Sequence, residues 1–152
     1  MKFPVFILFI FFIVSFLSCN NKVDKDITLL LDKRESAFEE KNPDKYKSLI
    51  ISSYEVETRN GNKNNEDALK DFRLNTTPFD SIEMSHKDRE VIKEDGRAKV
   101  VQKTLVLLSI DDQKIKYEIT EVLILEKENN EWKISKESNL DLFRGFVFGK
   151  QN

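Results

Sequence analysis

Glu121 is the acid with the most unusual setting. In the run Ile119-Thr120-Glu121-Val122-Leu123-Ile124-Leu125, period-two alternation puts it on one face with Ile119, Leu123 and Leu125. A carboxylate there must be paired, hydrogen-bonded or protonated. In a functional reading it lies in a pocket, binds a polar ligand or acts as a general base, and burial raises its pKa. Three plainer settings stand beside that one. Glu121 can pair with Arg34 from the first helix, or sit near an open end. If the preceding turn is one residue longer, it faces Lys103 in a cross-strand ion pair. Gln102, Thr104 and Tyr117 are the other polar residues expected on this face. His86, the only histidine, excludes a multi-histidine metal site. Asp80, Glu83 and Asp88 are near it in number, but the sequence singles out no partner for the ring.

Other chemistry finds little support. The chain carries no phosphate-cradling glycine run, and neither Asp111-Asp112 nor the Glu126, Glu128, Glu131 group has the spacing of a calcium loop. No metal site, cofactor or catalytic residue is assigned. The formal charge is −2. Removing residues 1–18 takes away one lysine, leaving 24 basic against 27 acidic residues, or −3. Dispersed lysines in an acidic domain argue against nucleic-acid capture.

The elements that must position these residues centre on Ala98 to Lys136. Asp111-Asp112 and Asn129-Asn130 break an otherwise strand-favouring run, and Asp and Asn tolerate the positive φ of tight hairpins. Two-residue turns give one register. Val106, Leu108 and Ile110 share a face with Ile115, Ile119, Leu123, Leu125, Trp132 and Ile134, and Gln102 lies opposite Glu121. The other face mixes charges with Val101, Leu105, Leu107, Val122 and Ile124, so it is only partly solvated.

Upstream, Asp26 caps a helix whose apolar residues Ile27, Leu30, Leu31, Ala37 and Phe38 recur at helical spacing to about Lys41. Asn42-Pro43 starts a second helix with Tyr46, Leu49 and Ile50 on its stripe. Tyr54 to Asn65 reads as a connection, with room for a short strand at Tyr54–Glu57. Asn65 caps a third helix to about Asn75 that turns Ala68, Leu69 and Phe72 inward. Ser81 to Ile92 is a further strand with Ile82, Met84 and His86 on one side. The apolar tail from Leu140 to Phe148 is expected to pack on its own domain or to form a partner surface.

At the N-terminus, Lys2 precedes FPVFILFIFFIVSFL and then Ser18-Cys19. The apolar run is too short for a comfortable span. The segment resembles a bacterial lipoprotein signal peptide. That resemblance implies removal of residues 1–18, lipidation (palmitate included) of Cys19 and a tether over 19–25 ahead of one domain, 26–152. Cys19 is the only cysteine, so an intrachain disulfide is impossible. Asn20 in place of a retention aspartate implies the outer membrane.

Three N-terminal helices followed by long strands, ending in Glu131-Trp132-Lys133-Ile134, define an α+β fold with helices packed on a curved antiparallel sheet of about four to five strands. This order resembles the nuclear transport factor two-like superfamily, also called SnoaL-like; a cystatin-like sheet is the nearest competitor. The resemblance implies a cone-shaped pocket, which Phe38, Tyr46, Phe72, Gln102, Tyr117 and Glu121 would line. The leading expectation is a non-catalytic, lipid-anchored envelope protein that binds a small apolar or amphipathic ligand or a protein partner. One alternative is a small isomerase, dehydratase or hydrolase using Glu121 with His86 or Tyr117. The other is a homodimeric structural module.

Overall fold

The computed structural model describes residues 25–58 and 61–138. The leader, Cys19, the Asn60 turn and the tail from Leu140 to Phe148 lie outside them. Helix α1 is described over residues 25–39. It buries Ile27, Leu30, Leu31, Ala37 and Phe38, the stripe its spacing predicts. It stops because Lys41 adopts φ 52°, while Asn42 N–H donates to Ala37 O at 2.9 Å and Lys41 N–H to Phe38 O at 3.0 Å. These are the two bonds of a Schellman ending. Asn42 then caps α2 (Pro43–Lys47), its side chain accepting from Lys45 N–H at 2.9 Å.

The second helix is therefore a single turn, and Ile50 belongs to β1 (Ile50–Thr58). Most of the expected connection is strand, since β2 (Gly61–Lys63) follows at once. α3 (Asn65–Thr76) is capped by Asn64, one residue earlier than expected. Four strands complete the sheet: β3 (Ser81–Glu94), β4 (Arg97–Ile110), β5 (Gln113–Glu128) and β6 (Glu131–Ser138).

The α+β class stands, with two corrections to the sheet. Among the described residues it has six strands in the order β2-β1-β6-β5-β4-β3, and β1 pairs with β6 in parallel. The short strand allowed at Tyr54–Glu57 lies within β1, whose start at Ile50 was missed because Ser52 and Ser53 dilute its alternation. The meander keeps the predicted register. Asp111 and Asp112 have φ 47° and 63°, Asn129 and Asn130 φ 52° and 65°, as a two-residue hairpin of matching twist requires. Gln102 accordingly pairs with Glu121 and Leu108 with Ile115.

Two bulges modify that register, each re-phasing one strand. In β3, Lys87 pairs with Lys103 but Glu90 with Val101, leaving one extra residue beside Asp88 at φ 48°. In β6, Ile134 pairs with Leu125 but Lys136 with Ile124, so Ser135 is the extra residue. Each bulge turns a charged side chain inward.

α1 also shields the outer edge of β3. Glu39 Oε1 accepts from Met84 N–H at 2.9 Å, and Lys41 Nζ donates to the carbonyls of Phe79 and Asp80. One edge donor of β3 and two carbonyls just ahead of it are thereby occupied.

Candidate functional site

The inner face carries a buried ion triad. Arg34 rises from α1 at 1% exposure, and Glu121 on β5 and Glu137 on β6 are equally buried. Arg34 Nε and Nη2 grip Glu137 at 3.0 and 2.9 Å, and Nη2 also donates to Glu121 Oε1 at 2.8 Å. Glu121 Oε2 accepts from Gln102 Nε2 at 3.2 Å and from Thr104 Oγ1 in a short contact. Glu137 Oε1 accepts from Tyr46 OH at 3.2 Å, and Tyr46 OH meets Tyr54 OH at 2.7 Å. Burial pushes the Glu121 carboxyl up, but Arg34, Thr104 and Gln102 outweigh it and hold the group below its ordinary value. Burial works against the Arg34 charge, yet Glu121 and Glu137 raise its pKa well above the ordinary value. Both Tyr46 and Tyr54 are raised, chiefly by burial and then by Glu137.

Of the plainer settings open to Glu121, the pairing with Arg34 is the one the structure adopts. An ionised carboxylate with three side-chain donors is a poor proton acceptor. The hydrogen bonds described for Glu121 go to Arg34, Gln102 and Thr104, and the acid bonded to His86 is a different one. Glu35 takes that place. His86 Nδ1 lies 3.0 Å from Glu35 Oε1, and Arg89 Nη2 donates to the same oxygen at 3.1 Å. When Glu35 is ionised it can only accept, and a neutral ring facing it then presents Nδ1–H and keeps its lone pair on Nε2. Desolvation raises the Glu35 carboxyl, and His86 and Arg89 offset only part of that rise. Arg89 Nε donates to Gln102 Oε1 at 2.7 Å, which joins this rim to the triad.

The β3 bulge makes the arrangement possible. His86 and Arg89 are three residues apart and would face opposite sides of a regular strand; the extra residue beside Asp88 brings both inward. On α1, Asp32, Glu35 and Glu39 follow at spacings of three and four, forming an acidic stripe along β3. Asp32, Glu35 and His86 could offer three metal ligands within 4.8 Å of one another. The Arg89 guanidinium, 3.1 Å from Glu35 and 3.5 Å from Asp32, offsets one of the two carboxylate charges. A metal ion bound there would compete with this guanidinium for the Glu35 carboxylate.

The remaining predicted residues separate into two groups. Phe38, Tyr46 and Phe72 form a ring cluster in the core, with Phe72 stacked on Tyr46 at 4.8 Å and against Phe38 at 4.7 Å. Gln102 is buried between Glu121 and Arg89. Tyr117 differs, being half-buried with Ile115 and Ile119 on the first half of β5, whereas Leu123 and Leu125 on the same face are fully buried. Burial, then Glu121, raises the Tyr117 hydroxyl well above its ordinary value. His86 pairs across with Thr104, which in turn pairs with Ile119. The imidazole therefore lies in the row of Ile119, two strands away across β4. The buried rim and triad contain Arg34 and Arg89 against Glu35, Glu121 and Glu137, an acidic balance that suits a neutral or donor-bearing molecule better than an anion.

Sequence reasoning missed Glu35, Arg89 and Glu137. The acidic stripe on α1 was a visible signal for the first. Nothing in simple alternation points to the other two, because bulges turn them inward.

No protein-family model matches the chain, and no curated protein matches its sequence. Solved structures do match in shape. A nuclear transport factor 2-like superfamily protein from Salmonella enterica superposes with TM-score 0.71 at 12% identity, covering 78% of this chain and 90% of that one. A putative scytalone dehydratase from Novosphingobium aromaticivorans gives 0.69 at 14% identity, with 80% and 85% covered. A type 2 hexachlorocyclohexane dehydrochlorinase gives 0.68 at 14%, with 78% and 84% covered. At such identities the similarity is one of architecture, and the domain has the nuclear transport factor 2-like α+β cone fold.

Proposed function

We propose that the chain is a lipid-anchored envelope protein of the outer membrane, attached through Cys19. Its domain binds a small, neutral, largely apolar molecule on the floor formed by Ile115, Tyr117 and Ile119, with His86 as the polar contact. The observation that carries the binding site is the uneven burial of the inner face. Where Arg34 bridges the two glutamates the interior is filled, and along Ile115 to Ile119 it is half-buried, with the Glu35-bonded imidazole two strands away in the row of Ile119. Ligand sites generally combine such an apolar wall with a few fixed polar groups. The anchor rests on the leader sequence alone.

The test is to purify the full chain from its native host and quantify co-purifying small molecules by mass spectrometry. A retained molecule is expected with the wild type. Its yield should fall about tenfold or more, equivalent to ~1.4 kcal/mol or more, in Ile119→Trp, which fills the floor, and in His86→Ala. Equal retention by both variants and the wild type would sink this reading.

One observation favours catalysis as a second reading. Glu35 orients His86 so that Nε2 can accept a proton, and two of the similar structures carry dehydratase or dehydrochlorinase names. In that case Nε2 takes a proton from a carbon of the bound molecule, the C–H electrons form a C=C bond, and a hydroxyl or halide on the neighbouring carbon departs with its bonding pair as water or halide ion. Glu35→Gln would then abolish product formation while leaving uptake of the molecule intact.

A further inference from the structure

The end of the domain where α1 begins carries a cleft of about 340 Å³ between the first turns of the helix and the β5–β6 hairpin. Asp26, Leu29 and Lys33 line it from one side, Lys127, Glu131 and Trp132 from the other. Leu29 is 53% exposed although it is large and apolar. Trp132 is half-buried, with Lys127 Nζ 5.3 Å from its ring centroid. From this cleft we infer that the Leu29–Trp132 lip is a membrane-docking surface that rests on anionic phospholipid headgroups.

The inference rests on the lipid-anchor reading, and chain length carries it from there. Six residue steps separate Cys19 from Lys25, and even fully extended they span only about 20 Å. A diacylated Cys19 lies at the bilayer surface, so the start of α1 cannot leave that neighbourhood, and the lip surrounds the first two turns of this helix. Its chemistry fits the location. Tryptophan favours the headgroup level, where an apolar ring and a polar edge are both satisfied. Lys25, Lys33 and Lys127 can meet lipid phosphates, and their long stems lie comfortably along apolar surface. Lys133 contributes less, because it already donates to Ser48 O at 2.6 Å and pairs with Glu131 at 3.6 Å. Docking there would turn the half-buried floor of β5 and the His86 rim toward a fixed direction instead of letting the domain tumble on its tether.

Trp132 is the only tryptophan, so the chain carries its own probe. Full-length lipidated protein would be reconstituted into phosphatidylcholine–phosphatidylglycerol vesicles whose acyl chains are brominated near the headgroup. Membrane attachment is scored separately by flotation. The expected result is flotation together with a blue shift and about twofold quenching of Trp132, weakened by salt as the lysine contacts are screened. Leu29→Asp combined with Lys33→Glu, both on the helix surface, should float equally but lose the quenching. Flotation of the wild type without quenching would overturn the docking surface while leaving the anchor intact, and would assign the lip to another occupant. Failure to float would overturn the anchor and the docking together.

Discussion

Replacing Arg34 by methionine should destabilise the domain by about 3–5 kcal/mol, because two carboxylates lose their cation while remaining out of water. Glu121 and Glu137 are each 1% exposed, so solvent cannot take over. A triple variant, Arg34→Met with Glu121→Gln and Glu137→Gln, should recover most of the loss, since neutral groups carry no ionic desolvation cost. Equilibrium denaturation of the three proteins measures both effects. A single variant within about 1 kcal/mol of wild type would place the triad in the class of solvated surface pairs and remove it as the organiser of the interior.

Acid titration adds a sign to this result. In the folded wild type the Glu121 carboxyl is held below its ordinary value. Its contribution to stability is therefore present above the unfolded pKa of about 4.3 and is lost as pH falls through the folded value. In Arg34→Met burial acts without the opposing cation and the folded pKa rises. The contribution then reverses, being present at low pH and lost as pH climbs through the raised value.

Phe72→Ala should cost about 3–5 kcal/mol, the range for truncating a buried aromatic ring. Phe72 is 1% exposed and touches both Phe38 and Tyr46, so its removal opens a hole at the joint between α1, α2 and α3. This separates two roles that the sequence left together. A pocket-lining ring would alter ligand retention more than stability, whereas a core ring does the reverse. The expected outcome is a large fall in the denaturation midpoint for Phe72→Ala, against a small one for Ile119→Ala on the half-buried floor. A change in stability under about 1 kcal/mol would return Phe72 to the list of pocket residues.

What could be read from the sequence follows from where local rules suffice. The paired Asp and Asn turns fixed the meander register, and that register alone put Gln102 opposite Glu121. The stripe on α1 located Arg34 on the inner side, where it could meet Glu121. Each failure has a local cause. Only Tyr54–Glu57 of β1 was legible, since serines dilute its start, and its partner β6 lies far away in sequence, so no hairpin signal announced the parallel pairing. Arg89 and Glu137 sit on the wrong parity for the inner face, and only a bulge in each strand corrects it. Without Glu137 the triad looked like a single pair, and without Arg89 the acid beside His86 had no second donor. Glu35 was legible only as part of the acidic run Asp32, Glu35, Glu39, which in isolation resembles any solvated helix face.

The bulges also tie fold to site. A β3 without its extra residue would turn Arg89 to solvent, leaving Glu35 with His86 alone and breaking the link through Gln102 to the triad. A β6 without Ser135 would take Glu137 from Arg34. The two irregularities in otherwise regular strands thus supply charged groups to both halves of the polar interior.

The account turns on Glu35, and not Glu121, being the acid that orients His86. Nitrogen-15 NMR of the side chain tests this most directly, since a single histidine gives a single imidazole spin system. At a pH where the ring is neutral, the proton should reside on Nδ1 with Nε2 carrying the lone pair. Glu35→Gln should disturb that tautomer, and Glu121→Gln should leave it unchanged. A proton found on Nε2 and indifferent to Glu35→Gln would contradict the assignment and, with it, the proposed site.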